Sequence, residues 1–264
     1  MKRYRLTTFF VDGVGSMILE DLPESVKKQE IQFIRDIYGD YNIEEKLKRV
    51  SKLDSPSISI IGEYSRHLME IKDAYVMGYF YPALTGACCL GERIFNVLLL
   101  KLKNYYKNSE HYGKICRKSS FQKWNSAIRI LTDWKVITKD LSNHFIKLEK
   151  IRHSSVHYQD IKDIEDVTLK AINEIHRIVE GLFSPREDIF FMTPGEFYVR
   201  KKMESNPFVR EFILPNCHKV GYKNYICGKY PNWTLKDDFQ YEEKEIIDEE
   251  FCKLRVEWRK QVCR

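Results

Sequence analysis

Apolar residues recur at three- and four-residue steps through the middle of the chain, the period of helices that bury one face. The clearest case is Asp163–Phe183, where Ile164, Val167, Ala171, Ile175, Ile178, Val179 and Leu182 form one stripe. A second stripe, Leu141, Phe145, Leu148 and Ile151, has Lys147, Glu149 and Lys150 placed to face outward. A third, Phe121, Trp124, Ile128 and Leu131, follows a Ser119-Ser120 cap and closes at Trp134. Pro82–Lys103 predicts a helix of roughly 33 Å, with Pro82 in its first turn. The first half of that helix is built from small residues, including Gly86 and Gly91. Each glycine costs about 1 kcal/mol relative to alanine, so a close packing contact is expected there. Ile58 to about Tyr79 predicts a further long helix, broken from the next at Tyr81-Pro82.

The flanks have a different texture. Residues 3–18 predict a small hairpin, two β-branched and aromatic runs around an Asp12-Gly13 turn. Helices are expected from Pro23 to about Tyr38 and over Ile43–Leu53, with a loop at Asp54–Ser57. Residues 104–118 predict a polar, basic loop. After Ser184-Pro185 come a strand at Asp188–Met192, a turn into a short helix at Thr193–Glu196, and a closing helix at Glu249–Val262. The expectation is a mainly α protein with three parts. Residues 1–54 form an N-terminal hairpin and helices, 55–184 a helical bundle, and 185–264 an α/β extension that wraps the bundle or a partner.

Composition narrows the class. At 264 residues, with 43% hydrophobic and 31% charged positions, the chain suits a soluble globular protein. No apolar run in the sequence approaches the roughly 20 residues of a membrane span, and MKRYRLTTFF is too short and polar for a signal core. A cytoplasmic location without membrane association follows as the expectation. Seven cysteines, with no Cys-x-x-Cys pair, fit a reducing compartment. The spacing of Cys217, His218, Cys227 and Cys252 matches no zinc pattern. The net charge of +6 is modest but uneven. Lys101–Arg152 carries thirteen Lys and Arg against four acids, a field suited to phosphates.

That basic segment ends in a polar cluster at the close of an apolar helix: Arg152, His153, Ser154, Ser155, His157 and Tyr158. Burying a cation and two imidazoles without partners is costly, so the cluster should line a surface or cleft. Arg152 and His157 are five apart, about 140° of rotation on an ideal helix. They converge if the helix bends, or if a second copy supplies the partner across a two-fold axis. Glu92, Arg93 and Asn96 add a polar patch to the apolar helix, and Glu92 is a candidate to orient a site side chain.

The Arg-x4-His signature late in an apolar helix of an all-α core resembles the HEPN superfamily. The resemblance spans roughly Ser57–Ser184. It implies a bundle of four to five helices and a homodimer in which two motifs face one another. It also implies metal-independent endoribonuclease activity of a prokaryotic defence or toxin system. In that reaction the ribose 2′-hydroxyl attacks the adjacent phosphate, with Arg152 and His157 catalytic and no metal or cofactor. His153, Ser154, Ser155, Tyr158 and Glu92 are expected as secondary or substrate-binding residues. Some toxin members carry a Tyr two places after the His, where this chain has Gln159. RNA is the implied substrate, and a neutralising or sensor protein an implied partner. The alternative is a catalytically silent helical subunit that binds nucleotides, RNA or a partner. A metal site on His153 and His157 is disfavoured, because His-Ser-Ser-Val-His lacks the Glu that metalloprotease helices place beside the first His.

Overall fold

The computed structural model describes residues 3–15, 23–117, 123–156, 162–193, 195–227, 231–243 and 246–262. The described chain is mostly helical with a small sheet region. It divides into two compact units, Phe10–Ser184 and Met1–Phe9 together with Pro185–Arg264. The division differs from the three consecutive segments read in the sequence. Residues 10–54 belong with the helices, and the first strand belongs with the C-terminal segment.

Of the hairpin expected at residues 3–18, positions 16–18 lie outside the described residues, and the described strands pair elsewhere. β1 (Tyr4–Leu6) pairs with strands far along the chain, while β2 (Phe10–Val11) pairs with a short strand at Ile58–Ser59, β3. Gly13 has the positive φ of a turn, +83°, but Asp12 beside it is a buried acceptor and not a turn residue. Its carboxylate accepts hydrogen bonds from the Ser57 amide at 2.8 Å and from Lys72 Nζ at 2.9 Å. His176 Nδ1 lies 3.1 Å from the same carboxylate. Asp12 and Lys72 are fully buried, so this network pins the start of the unit to its helices.

The helical unit contains α1 (Glu24–Tyr38), α2 (Ile43–Lys52), α3 (Gly62–Val76), α4 (Phe80–Leu102), the short α5 (Tyr112–Ile115), α6 (Trp124–Asp133), α7 (Lys139–Val156) and α8 (Ile164–Phe183). The expected cap at Ser119-Ser120 and the apolar Phe121 lie outside the described residues. Two boundaries differ from the sequence reading. Ile58–Ser59 is strand because it pairs with β2, and Ile60 then donates to the Phe183 carbonyl at 2.8 Å. The break before α4 falls at Gly78 (φ +84°), which ends α3 in the left-handed region, so α4 starts at Phe80 with Pro82 inside its first turn. The segment expected as loop after α4 carries a 3-10 turn at Lys103–Tyr106 and α5.

α4 is the axis of the unit and packs against α3, α6, α7 and α8. With the following turn, Phe80–Tyr106 is long and apolar enough to cross a membrane by length and composition, contrary to the sequence expectation. Its apolarity has a packing cause here: Leu84, Ala87, Ile94, Phe95 and Leu98 are each 0% exposed. The glycines have the packing reason expected of them. A Cβ on Gly91 would sit 2.6 Å from Leu148 Cδ2 and 3.1 Å from Trp124 Cη2, so α6 and α7 approach α4 only because that side chain is absent. Gly91→Val is expected to destabilise the unit by about 1–3 kcal/mol through overpacking, read as a lower urea midpoint.

The second unit is a four-stranded sheet in the order β4 (Phe190–Thr193), β5 (Glu196–Val199), β1, β6 (Cys217–Lys219). A separate hairpin, β7 (Asn224–Cys227) and β8 (Thr234–Asp237), and a helix α9 (Asp248–Val262) complete it. Thr193–Glu196 turns into β5 instead of the short helix expected, because Glu196–Val199 pairs with both β4 and β1. Tyr198, Val220 and Phe251 form the core, with Phe191, Phe239, Tyr241 and Ile246 against it. Arg255, 0% exposed, bridges the carboxylates of Glu196 and Asp238, and its guanidinium lies 4.5 Å from the Trp258 ring centre.

Asp12 and Glu196 both titrate below the ordinary carboxylate range. Burial pushes each upward. For Asp12 the hydrogen bond of His176 and the charge of Lys72 outweigh it; for Glu196 the hydrogen bonds and charge of Arg255 do so. Because the folded values are depressed, the unfolded chain takes up protons first as pH falls. The stability from these groups is whole above their unfolded values, about 4, and drains as pH drops through the folded ones. A urea midpoint that falls steeply below about pH 4.5 is expected, and Asp12→Asn is expected to flatten that fall while lowering stability at neutral pH.

Candidate functional site

The residues at the end of α7 stand in a cleft of about 790 Å³. Three elements of the helical unit build it. α4 contributes Glu92, α7 contributes Glu149, Arg152 and His153, and the start of α6 contributes Trp124, Asn125, Ser126 and Arg129, with Lys123 just ahead. The local reasons are plain in the sequence. α7 buries Leu141, Phe145 and Leu148, and its next turn carries Arg152 past the end of that stripe to the surface. Trp124 packs edge-on to Phe95 of α4, ring centres 4.8 Å apart, and so brings the start of α6 beside the end of α7.

Arg152 is partly exposed, at 29%, and its Nη2 lies 3.4 Å from Glu92 Oε2. Glu92 thus holds a guanidinium at the cleft wall. Asn96, one turn on, donates Nδ2–H to the Glu92 carbonyl at 2.8 Å. Arg93, next to Glu92 in sequence, serves a different face and pairs with Glu63 at 2.5 Å. The cleft therefore carries three cations, Lys123, Arg129 and Arg152, against two carboxylates, Glu92 and Glu149. The N-terminus of α6 adds the positive end of its helix dipole. An anion of two or more charges would find a favourable field there.

The other expected site residues divide. His153 is exposed and lines the cleft, with its Nδ1 2.9 Å from the Glu149 carbonyl. An Nδ1–H donated there leaves the lone pair on Nε2. Ser154 is turned back on its own helix, donating to the carbonyls of Lys150 and Ile151 at 3.2 and 3.0 Å, and it does not line the cleft. Ser155 belongs to the backbone of α7, but its side chain, His157 and Tyr158 all lie outside the described residues. Glu149, expected to face outward, is buried at 8% exposure and forms part of the cleft wall.

Sequence reading missed Lys123 and Arg129, which line the same cleft as Arg152. The available signal was their place in the acid-poor segment, two cations flanking the apolar stripe of α6. Cys88, one turn before Glu92, is buried at 1% exposure, and burial pushes its thiol up to about 12 against the opposing charge of Arg152. Among the described residues, the His and carboxylate donors best placed for a cation lie elsewhere in the unit. His111 Nε2 is 2.7 Å from Asp133 Oδ2 and 3.4 Å from Glu110 Oε1. A nitrogen and two carboxylate oxygens suit a divalent ion such as zinc. That group shares no residue with the cleft, and none of Cys217, His218, Cys227 or Cys252 enters it. Comparison with protein-family models, curated proteins and solved structures finds no match to this chain.

Proposed function

We propose that the protein is a metal-independent endoribonuclease of the HEPN type, acting in a prokaryotic defence or toxin system. Phe10–Ser184 would then be its HEPN-like bundle. The observation that carries this reading is Arg152, held by Glu92 on the wall of a cation-lined cleft, five residues before His157. Cleavage needs a base for the 2′-hydroxyl proton and an acid for the departing 5′-oxygen. It also needs fixed positive charge on the phosphate as it crowds to five oxygens. Arg152 supplies the last of these, with a planar fork that fits two phosphate oxygens. Lys123 and Arg129 neutralise neighbouring phosphates in the same cleft. His157 exchanges the protons, the role an imidazole can serve at neutral pH. The products are a 2′,3′-cyclic phosphate and a 5′-hydroxyl, and no water or metal enters the step.

A homodimer across the α7 ends fits the offset of Arg152 and His157, and a cytoplasmic location fits RNA as substrate. A neutralising or sensor protein would restrain a nuclease of this kind. The test is incubation of the purified chain with total RNA and excess chelator, with fragment ends identified. Cyclic phosphate ends from the wild type, absent with His157→Ala, support the reading. RNA bound but left intact would assign the chain to the silent binding subunits instead.

A further inference from the structure

At the C-terminal end of α6, one histidine faces more acid than it can bond. His111, just ahead of α5, is 3% exposed. Its Nε2 lies 2.7 Å from Oδ2 of Asp133, the last residue of α6, and 3.4 Å from Glu110 Oε1. Both carboxylates thus face the same ring nitrogen. That nitrogen carries at most one proton, and one N–H answers only one of the two oxygens well. The second carboxylate is left beside the first, where like charges oppose one another. The sequence does not force this crowding. Lys101–Arg152 has thirteen Lys and Arg against four acids, so cations that could pair with Glu110 are abundant in the segment. Two of those four acids converge instead on one imidazole.

The imidazole is fixed, and the carboxylates are free to adjust around it. Ser109 Oγ accepts from the His111 amide at 3.2 Å and from Trp134 Nε1 at 3.0 Å. The Trp134 ring stacks on Tyr106, centres 4.4 Å apart. The turn that carries Glu110 and His111 is thereby tied to the residue after Asp133. The side chains of Glu110 and Asp133 are 85% and 50% exposed, and both stand in an open cleft of about 500 Å³. The three donor atoms lie within 4.8 Å of one another. Zinc binds imidazole nitrogen and carboxylate oxygen at about 2.0–2.2 Å, which sets tetrahedral donors about 3.4 Å apart. Glu110 Oε1 already has that spacing from Nε2, and the half-exposed Asp133 carboxylate reaches it by a small rotation. Calcium and magnesium prefer oxygen ligands alone, so the imidazole selects a transition ion.

We infer that Glu110, His111 and Asp133 bind one divalent transition-metal ion, zinc by the chemistry of the donors, which clamps the segment after α4 to the end of α6. The ion replaces the Nε2 proton, which leaves to solvent. It takes the ring lone pair and one oxygen from each carboxylate, with water from the cleft in the fourth position. The site shares no residue with the α7 cleft, and the inference does not rest on the nuclease reading. The test titrates zinc chloride into the full chain, free of affinity tags and stripped beforehand with chelator, by calorimetry. One ion per chain is expected. The thermal midpoint should rise by about 5–10 °C at free zinc a hundred times Kd. Glu110→Gln and Asp133→Asn should each weaken zinc by at least about tenfold, and Glu110→Gln should leave the zinc-free midpoint unchanged because its side chain is exposed. His111→Ala should abolish binding; if that variant fails to fold, the two carboxylate variants decide the matter. X-ray absorption at the zinc edge should show nitrogen and oxygen at about 2.0–2.1 Å and no sulfur at about 2.3 Å. Failure to saturate at one ion per chain would overturn the site, as would wild-type affinity in both carboxylate variants. A sulfur shell would overturn it too, since the zinc would then sit on cysteines.

Discussion

Arg152→Ala should slow RNA cleavage by at least about a hundredfold, the usual cost of losing one fixed donor to developing charge, while the folded state survives. The two halves of this expectation have separate causes. Arg152 lies at the cleft wall, partly exposed and beyond the buried stripe of α7, and its partner Glu92 is itself 20% exposed. Removing the guanidinium leaves a carboxylate that water can reach, so the thermal midpoint should move little. Arg152→Lys is the sharper variant. It keeps the charge but loses the planar fork, and activity should stay well below wild type. Glu92→Gln should give a smaller loss, because it loosens the guanidinium without removing it. Single-turnover cleavage with chelator present measures all three. An Arg152→Ala protein that cuts at the wild-type rate would remove the cleft from the reaction.

Arg255→Ala should destabilise the sheet unit by about 3–5 kcal/mol, because it strips the central cation from two buried carboxylates. Arg255 reaches Glu196 through both Nε and Nη2 at 3.2 Å and Asp238 through Nη1. Arg5, 2.7 Å from Glu196, shares that carboxylate, but among the described residues Asp238 is left with backbone donors, from Gly221 and Phe239. Replacing all three charged residues together with apolar ones of similar volume should cost much less than Arg255→Ala alone, since the penalty comes from unpaired charge. A denaturant titration followed by tryptophan fluorescence compares the variants, because Trp258 lies against the Arg255 guanidinium.

What the sequence revealed and what it hid divide along one physical line. Contacts made within a helix or between neighbouring helices left a period in the chain. The stripes of α7 and α8, the small-residue face of α4 and the surfacing of Arg152 all follow from spacing. Contacts made by backbone pairing over long separations left no such mark. Asp12-Gly13 has the composition of a hairpin turn, yet Asp12 is buried among Lys72 and His176, sixty residues and more away. Glu196 beside Gly195 looks like turn chemistry, yet its carboxylate lies under Arg255. Glu149 has the sequence look of an exposed helix face because nothing local announces that it will wall a cleft shared with the start of α6. Lys123 and Arg129 escaped notice for the same reason: one stripe of spacing says which side of α6 is apolar, but not which helix end it will meet.

The place of β1 has a consequence for how the molecule is made. The strand at residues 4–6 lies between β5 and β6, so the sheet unit needs both the earliest and some of the latest residues of this sequence. During synthesis the Phe10–Ser184 unit can assemble while β1 still waits, unpaired, for partners that have not yet left the ribosome. Closing a loop of that length is slow compared with local helix formation, and an unmatched strand edge is an invitation to the wrong neighbour. A fusion that tethers the leading residues, or an internal start that omits them, would leave a gap at the heart of the sheet even though every helix of the larger unit had formed.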